Sequence, residues 1–161
     1  MHLLIAGIPG TGKSTFTRWL VSEHGYLRCP SAEEPGSTFF DEIDRARKSH
    51  KDVVIDYGFP LGQLNRVRSL IANGVEPWWF DGDRDAALQV FLARVGHPGT
   101  KFDWDTQLRQ IVEHWKELET TFTGRILNVI SSGPVHMPNE ERWELINGHR
   151  DSPDDKTMTQ T

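Results

Sequence analysis

Gly7-Ile8-Pro9-Gly10-Thr11-Gly12-Lys13-Ser14 decides how this chain is read. The stretch fits G-x-x-x-x-G-K-[ST], the pattern of a phosphate-binding loop. Before it runs Leu3-Leu4-Ile5-Ala6, a short apolar strand. After it, Lys13 to His24 carries Phe16, Trp19 and Leu20 on one helical face, with Gly25 as the stop. Strand, glycine loop, helix is the order an anion site needs. Glycines let the backbone wrap a phosphate with no Cβ in the way. The unpaired N–H groups of the helix start then face the anion, and the helix dipole favours its charge. Lys13 would reach the β- and γ-phosphates of a nucleoside triphosphate, and Ser14 would offer its hydroxyl to magnesium.

Working outward, Tyr26-Leu27-Arg28 reads as a second strand, followed by a loop from Cys29 to Gly36. Ser37 or Thr38 can cap a helix carrying Phe39, Phe40, Ile43 and Ala46. Asp52 to Asp56 reads as a buried parallel strand ending in an acid. After the turn Tyr57-Gly58-Phe59-Pro60, a helix with Leu61, Leu64, Val67, Leu70 and Ile71 closes at Gly74. Val75 to Phe80 is the next strand, with Pro77 against its first half. Asp81-Gly82-Asp83 turns, and Asp83 caps a helix with Leu88, Phe91, Leu92 and Val95. Gly96 to Lys101 reads as a loop, and a helix from about Asp105 to Thr121 follows. Ile126 to Ile130 is the last strand, Ser131 to Pro134 a turn, and Asn139 caps a final helix with Trp143, Leu145 and Ile146. The polar residues from His149 onward read as a disordered tail, 149–161, beyond a domain of 1–148.

Alternating strands and helices predict an α/β fold with a mostly parallel sheet covered on both faces. Ligands in such folds bind beyond the carboxyl ends of the strands. That edge collects the glycine loop, the turn after Asp56 and the loop after Ile130. The chain's 161 residues suit one domain with a real core, and its net charge of −5 argues against nucleic-acid binding through a broad basic surface. One cysteine, Cys29, allows no internal disulfide. No leader and no apolar span is visible, so the expectation is a cytoplasmic protein with no membrane partner.

Several side chains on that edge are candidates for chemistry. Asp56 would share magnesium with Ser14. Glu33 or Glu34, just past the second strand, would take a proton from an attacking hydroxyl, with Asp41 and Asp44 as fallbacks. Arg94 and Lys101 flank a glycine-bearing loop and would stabilise the charge on a transferring phosphate. Arg66 would face the acceptor. His97 has no partner in sequence, Cys29 reads as a small buried residue, and no Cys/His spacing suggests zinc.

With these residues in place the chain resembles the small P-loop kinases of the nucleoside-monophosphate-kinase fold. Within them it is most similar to the kinase domain of polynucleotide kinase and the zeta-toxin-like predicted kinases, grouped as AAA family ATPases. The resemblance runs from Met1 to Gly148 and is carried by Gly7 to Thr15, Val53 to Arg66 and Leu92 to Leu108, where Gly99-Thr100-Lys101 stands out. It implies a three-layer P-loop NTPase fold: a five-stranded parallel sheet in the order 2-3-1-4-5, helices on both faces and a small helical lid. It also implies transfer of the γ-phosphate of ATP. The family's loop lysine and serine fall on Lys13 and Ser14, its third-strand acid on Asp56 and a lid arginine on Arg94. The family's aspartate base is matched only by Ser31-Ala32-Glu33-Glu34. Its second lid arginine would fall near Pro98, where Lys101 is the nearest cation. Ser131 to Val135 would lie by the adenine.

Together these readings describe an ATP- and Mg2+-dependent phosphotransferase. ATP would be held by Gly10, Thr11, Gly12, Lys13, Ser14, Thr15 and Arg94. The acceptor would be a hydroxyl or phosphate group on a small molecule, a nucleotide or a polynucleotide 5′ end. The alternative is a nucleotide-binding switch with weak ATPase activity. A ring-forming motor ATPase fits less well, since no sensor or finger arginine stands out downstream.

Overall fold

The computed structural model describes residues 1–29, 51–57, 64–95 and 100–149. The loop and helix expected over 30–50, with Glu33, Glu34, Asp41 and Asp44, lie outside the described residues. So do the turn at 58–60, Leu61, His97 and the tail beyond 149.

The chain begins with β1 (His2–Gly7), α1 (Lys13–His24), β2 (Leu27–Cys29) and β3 (Val53–Asp56). It continues with α2 (Leu64–Ala72), β4 (Val75–Gly82), α3 (Arg84–Val95), α4 (Thr100–Glu113) and α5 (Trp115–Thr121). It closes with β5 (Ile126–Ser131), β6 (Val135–His136) and α6 (Asn139–Gly148). The sheet order is β2-β3-β1-β4-β5-β6. The first five strands are parallel in the expected order, and β6 adds an antiparallel edge by pairing Ile130 with His136 and Ser131 with Val135.

Side-chain alternation along the strands divides the core in two. Leu3, Ile5, Val54, Trp78 and Phe80 point to the face covered by α1 and α6, against Phe16, Leu20 and Ile146. Leu4, Ala6, Ile55 and Trp79 point to the other face, against Val67 and Leu70 of α2, Ala87 of α3, Ile111 of α4 and Leu118 of α5. Each fully buried large side chain of this kind contributes about 1.5–3 kcal/mol. The buried stripes are narrower than the apolar stripes of the sequence. Leu92, Val112 and Leu145 are exposed.

The structure corrects four expectations. Pro77 does not weaken β4, which runs on to Gly82. Trp79 N donates to Arg125 O on the β5 side, so Pro77, two residues earlier, turns its nitrogen to the same side. There β5 pairs only from Ile126 onward, and no ladder bond is lost. Lys101 lies in a helix rather than a loop, because α4 starts at Thr100 and Lys101 Nζ bonds Asp105 one turn on, at 2.9 and 3.0 Å. The helix expected over 105–121 is broken at His114, which leaves helical geometry at φ −108 and ψ 15. The turn after Ser131 is a hairpin that brings back β6. Among the described residues, no helix is long and apolar enough to cross a membrane.

Candidate nucleotide and active site

β1 hands the chain to the glycine loop beside β4, where Ile8 N donates to Phe80 O at 3.1 Å. Gly10 has φ 81, and a Cβ there would lie 2.1 Å from Ala87 O in the first turn of α3. Only glycine permits that approach. Gly12 (φ 79) accepts the first helical bond of α1, from Phe16 N at 3.0 Å, and no side chain caps the helix. The first N–H groups of a helix have no acceptor within it, so the loop presents donors and the positive dipole end together. Thr11 is fully buried and ties the loop through Oγ1 to Ile8 O at 2.8 Å. Lys13, 9% exposed, folds back over the loop and donates from Nζ to Gly7 O at 3.0 Å and Ile8 O at 2.9 Å. Gly10, Thr11, Gly12, Lys13, Ser14 and Thr15 thus form one cradle.

Asp56 ends β3 on the same face as Val54, the face α1 covers. It is buried, and Arg28 Nη2 of β2 donates to its Oδ2 at 3.1 Å. Asp81, also buried at a strand end, faces the other way and accepts from Trp79 Nε1 at 2.9 Å. Among the described residues, alternation therefore leaves Asp56 as the strand-end acid on the α1 face. The donor chemistry fits magnesium. Ser14 and Asp56 carry hard oxygen donors, and among the described residues no group of three or more metal-binding side chains forms a cage. Magnesium takes few protein ligands and completes its shell with phosphate and water.

A cleft of about 430 Å³ opens beside the cradle, lined by Gly12, Thr15, Arg18, Arg94, His136 and Arg142 among others. Arg94, on the last turn of α3, is therefore brought to the cradle. Lys101 does not line this cleft and remains paired with Asp105. Arg66 sits on α2, on the face of the sheet opposite α1. Cys29 is buried.

His136 and Arg142 are additions that sequence reasoning missed. Arg142 is 2% exposed and donates from Nε to Met137 O at 2.9 Å and from Nη1 to Thr11 O at 3.4 Å. Its guanidinium lies over the Phe80 ring, 5.4 Å from the centroid. Burial lowers its pKa to about 10. His136 Nδ1 stands 3.4 Å from Arg142 Nη2. Burial, then the Arg142 charge, holds this imidazole below its ordinary range, against a raising contribution from the Thr11 carbonyl. One sequence signal was available: Arg142 lies one helical turn before Ile146, on the buried stripe of α6.

No protein-family profile matches the chain. Over 148 residues it is 30% identical to the cytoplasmic dynein heavy chain of Fusarium vanettenii, a match covering 76% of this chain and 3% of the dynein chain. Its fold is similar to solved small kinases. A gluconokinase from Sinorhizobium meliloti superposes with a TM-score of 0.57 at 15% identity, covering 99% of this chain and 97% of that one. Shikimate kinase from Bacteroides thetaiotaomicron gives 0.53 at 12% identity, covering 91% and 92%. Deoxyadenosine kinase from M. mycoides with bound dATP gives 0.53 at 16% identity, covering 94% and 100%. With its parallel order, its glycine loop between β1 and α1 and these neighbours, the chain has the fold of the P-loop kinases.

Proposed function

We propose that the protein is an ATP-dependent kinase that moves the γ-phosphate of ATP to an acceptor. The observation that carries this reading is the cradle: buried Lys13 at the start of α1, a helix with no side-chain cap, set on the edge of the sheet where Asp56 ends β3 on the α1 face. The phosphates of ATP would lie along Gly10 to Thr15. Ser14 and Asp56 would hold magnesium, which draws charge from the β- and γ-oxygens when bound. The acceptor oxygen attacks the γ-phosphorus, the bond to the β–γ bridging oxygen breaks, and ADP leaves with that electron pair. The acceptor's proton passes to a carboxylate, Glu33 or Asp56. Arg94 stabilises the transferring oxygens, and Lys101 joins it by exchanging Asp105 for phosphate.

The acceptor class is a small molecule, a nucleotide or a polynucleotide 5′ end, the last resting on the polynucleotide-kinase resemblance. The acidic balance of the chain favours the small molecule. The kinase domain would span 1–148, with 149–161 as a tail. A second reading, a nucleotide-binding switch, is favoured by the Lys101–Asp105 pair, which leaves Arg94 as the one proposed lid cation at the cleft.

The test is transfer from γ-labelled ATP to nucleosides, nucleotides, sugars, small alcohols and 5′-hydroxyl oligonucleotides. Lys13→Ala should lower transfer by about 10²–10³-fold. ATP binding that depends on Lys13, with no acceptor labelled, would overturn the kinase reading in favour of the switch.

A further inference from the structure

Arg142 presents a physical problem. A guanidinium is always charged near neutral pH, and taking it out of water is costly unless an opposite charge compensates it. Arg142 is 2% exposed, and its partners are two carbonyl oxygens, a histidine nitrogen and an aromatic face. Among the described residues no carboxylate pairs with it. Burial is the sole cause of its lowered pKa, and its charge is felt by His136. The group sits at the glycine loop: Nη1 reaches Thr11 O, and a Cβ on Gly12 would lie 3.3 Å from Nη1. It also lines the cleft with Arg18 and Arg94, so three guanidinium groups surround a volume whose lining, among the described residues, includes no acid.

We infer that Arg142 is a positioning residue of the nucleotide site, which holds the Thr11–Gly12 peptide through its carbonyl and whose buried charge is compensated by the phosphates of the bound nucleoside triphosphate. The inference rests on the nucleotide reading above and adds a second cation to Lys13, from the opposite end of the chain. An apolar side chain would fill the space without a charge to compensate, and a carboxylate partner would cancel the charge. A cation left without an acid beside an anion cradle is stabilised only when the anion arrives. The fork of the guanidinium also matters: Nε and Nη1 grip carbonyls on two segments, Met137 and Thr11, which a lysine cannot reproduce.

The experiment measures adenosine, AMP, ADP and ATP binding with magnesium, by calorimetry, for the wild type, Arg142→Met, Arg142→Lys and Lys13→Ala, with urea midpoints in the absence of nucleotide. Arg142→Met should weaken ATP by about tenfold, the size of one partly screened charge contact, and ADP and AMP by progressively less. Adenosine should bind as before, and the urea midpoint should hold or rise, because a buried cation has been replaced by an apolar chain of similar length. Arg142→Lys should recover part of the ATP affinity. Equal weakening of all four ligands, or a lowered midpoint with unchanged ATP affinity, would overturn the inference and leave Arg142 as a structural pin. Should Arg142→Met not fold, Arg142→Lys decides alone: its ATP-to-adenosine preference must fall by less than the roughly tenfold expected for loss of the charge, and a fall of about tenfold or more would overturn the inference. A wild type that binds ATP no better than Lys13→Ala does would overturn the nucleotide reading itself.

Discussion

The glycine loop and the α3–α4 arm each carry cations assigned to phosphate, in opposite surroundings. Lys13 is 9% exposed and fixed by two carbonyl oxygens, within a loop that touches α3 and stands beside α6. Arg94 is exposed on the last turn of α3, and Lys101 spends its charge on a neighbour one turn away. Lys13 and its loop have their geometry set by backbone packing, so changes there disturb folding and binding together. The arm's cations are placed by surface helices, so changes there can alter chemistry while leaving the fold alone.

The sharpest way to break this contrast is Gly10→Ala. The new methyl group meets Ala87 O, which is backbone and cannot swing away, at a φ that alanine rarely adopts. Overpacking and backbone strain together predict a loss of about 2–4 kcal/mol, read as a lower urea midpoint, with ATP binding lost as well. An unchanged midpoint would mean that the loop is not held by α3.

Much of that loop was legible because its signals are local. Gly, Lys and Ser at fixed spacing, an apolar run before them and a helical stripe after them all lie within about one βα unit. Asp56 was legible for the same reason, as the acid that closes Val53-Val54-Ile55. Arg142 was not, because it stands in the polar run Asn139-Glu140-Glu141-Arg142, which reads as a solvated face. Its burial is set by Thr11, 131 residues away in sequence. The two-residue β6 is too short to show a period, and exists because the hairpin after Ser131 returns it to β5. Lys101 reads as a loop residue because Gly96-His97-Pro98-Gly99 signals a loop more strongly than the Lys101–Asp105 pair signals a helix start.

The arm offers a smaller test. Arg94→Ala should lower phosphoryl transfer by about tenfold with an unchanged urea midpoint, since the side chain is exposed and faces the cleft. Lys101→Ala should cost only a few-fold in transfer, because its contact with phosphate must first displace Asp105. The exposed pair itself is worth less than about 0.5 kcal/mol in stability. Asp105→Asn sharpens the distinction by freeing Lys101: transfer should rise if Lys101 reaches phosphate and stay unchanged if it does not.

The smallest effect expected is a pH dependence from the buried side of the comparison. His136 lies against Arg142 and the glycine loop, and its pKa is lowered from the ordinary 6.5 by burial first and the guanidinium second. As pH falls, the unfolded chain takes up this proton before the folded one does. Between the two pKa values the unfolded state binds more protons, so stability is complete above about pH 6.5 and declines as pH falls through the folded value. His136→Gln, which cannot titrate, should flatten that decline. The measurement is the difference in urea midpoint between wild type and variant at about pH 7.5 and about pH 5.5. The wild type should lose more than the variant on acidification. Arg142→Met should shrink the decline without abolishing it, because it removes the guanidinium charge and leaves the larger cause, burial, in place. A decline untouched by His136→Gln would assign it to other groups, and one abolished by Arg142→Met would make the charge, rather than the burial, the dominant cause.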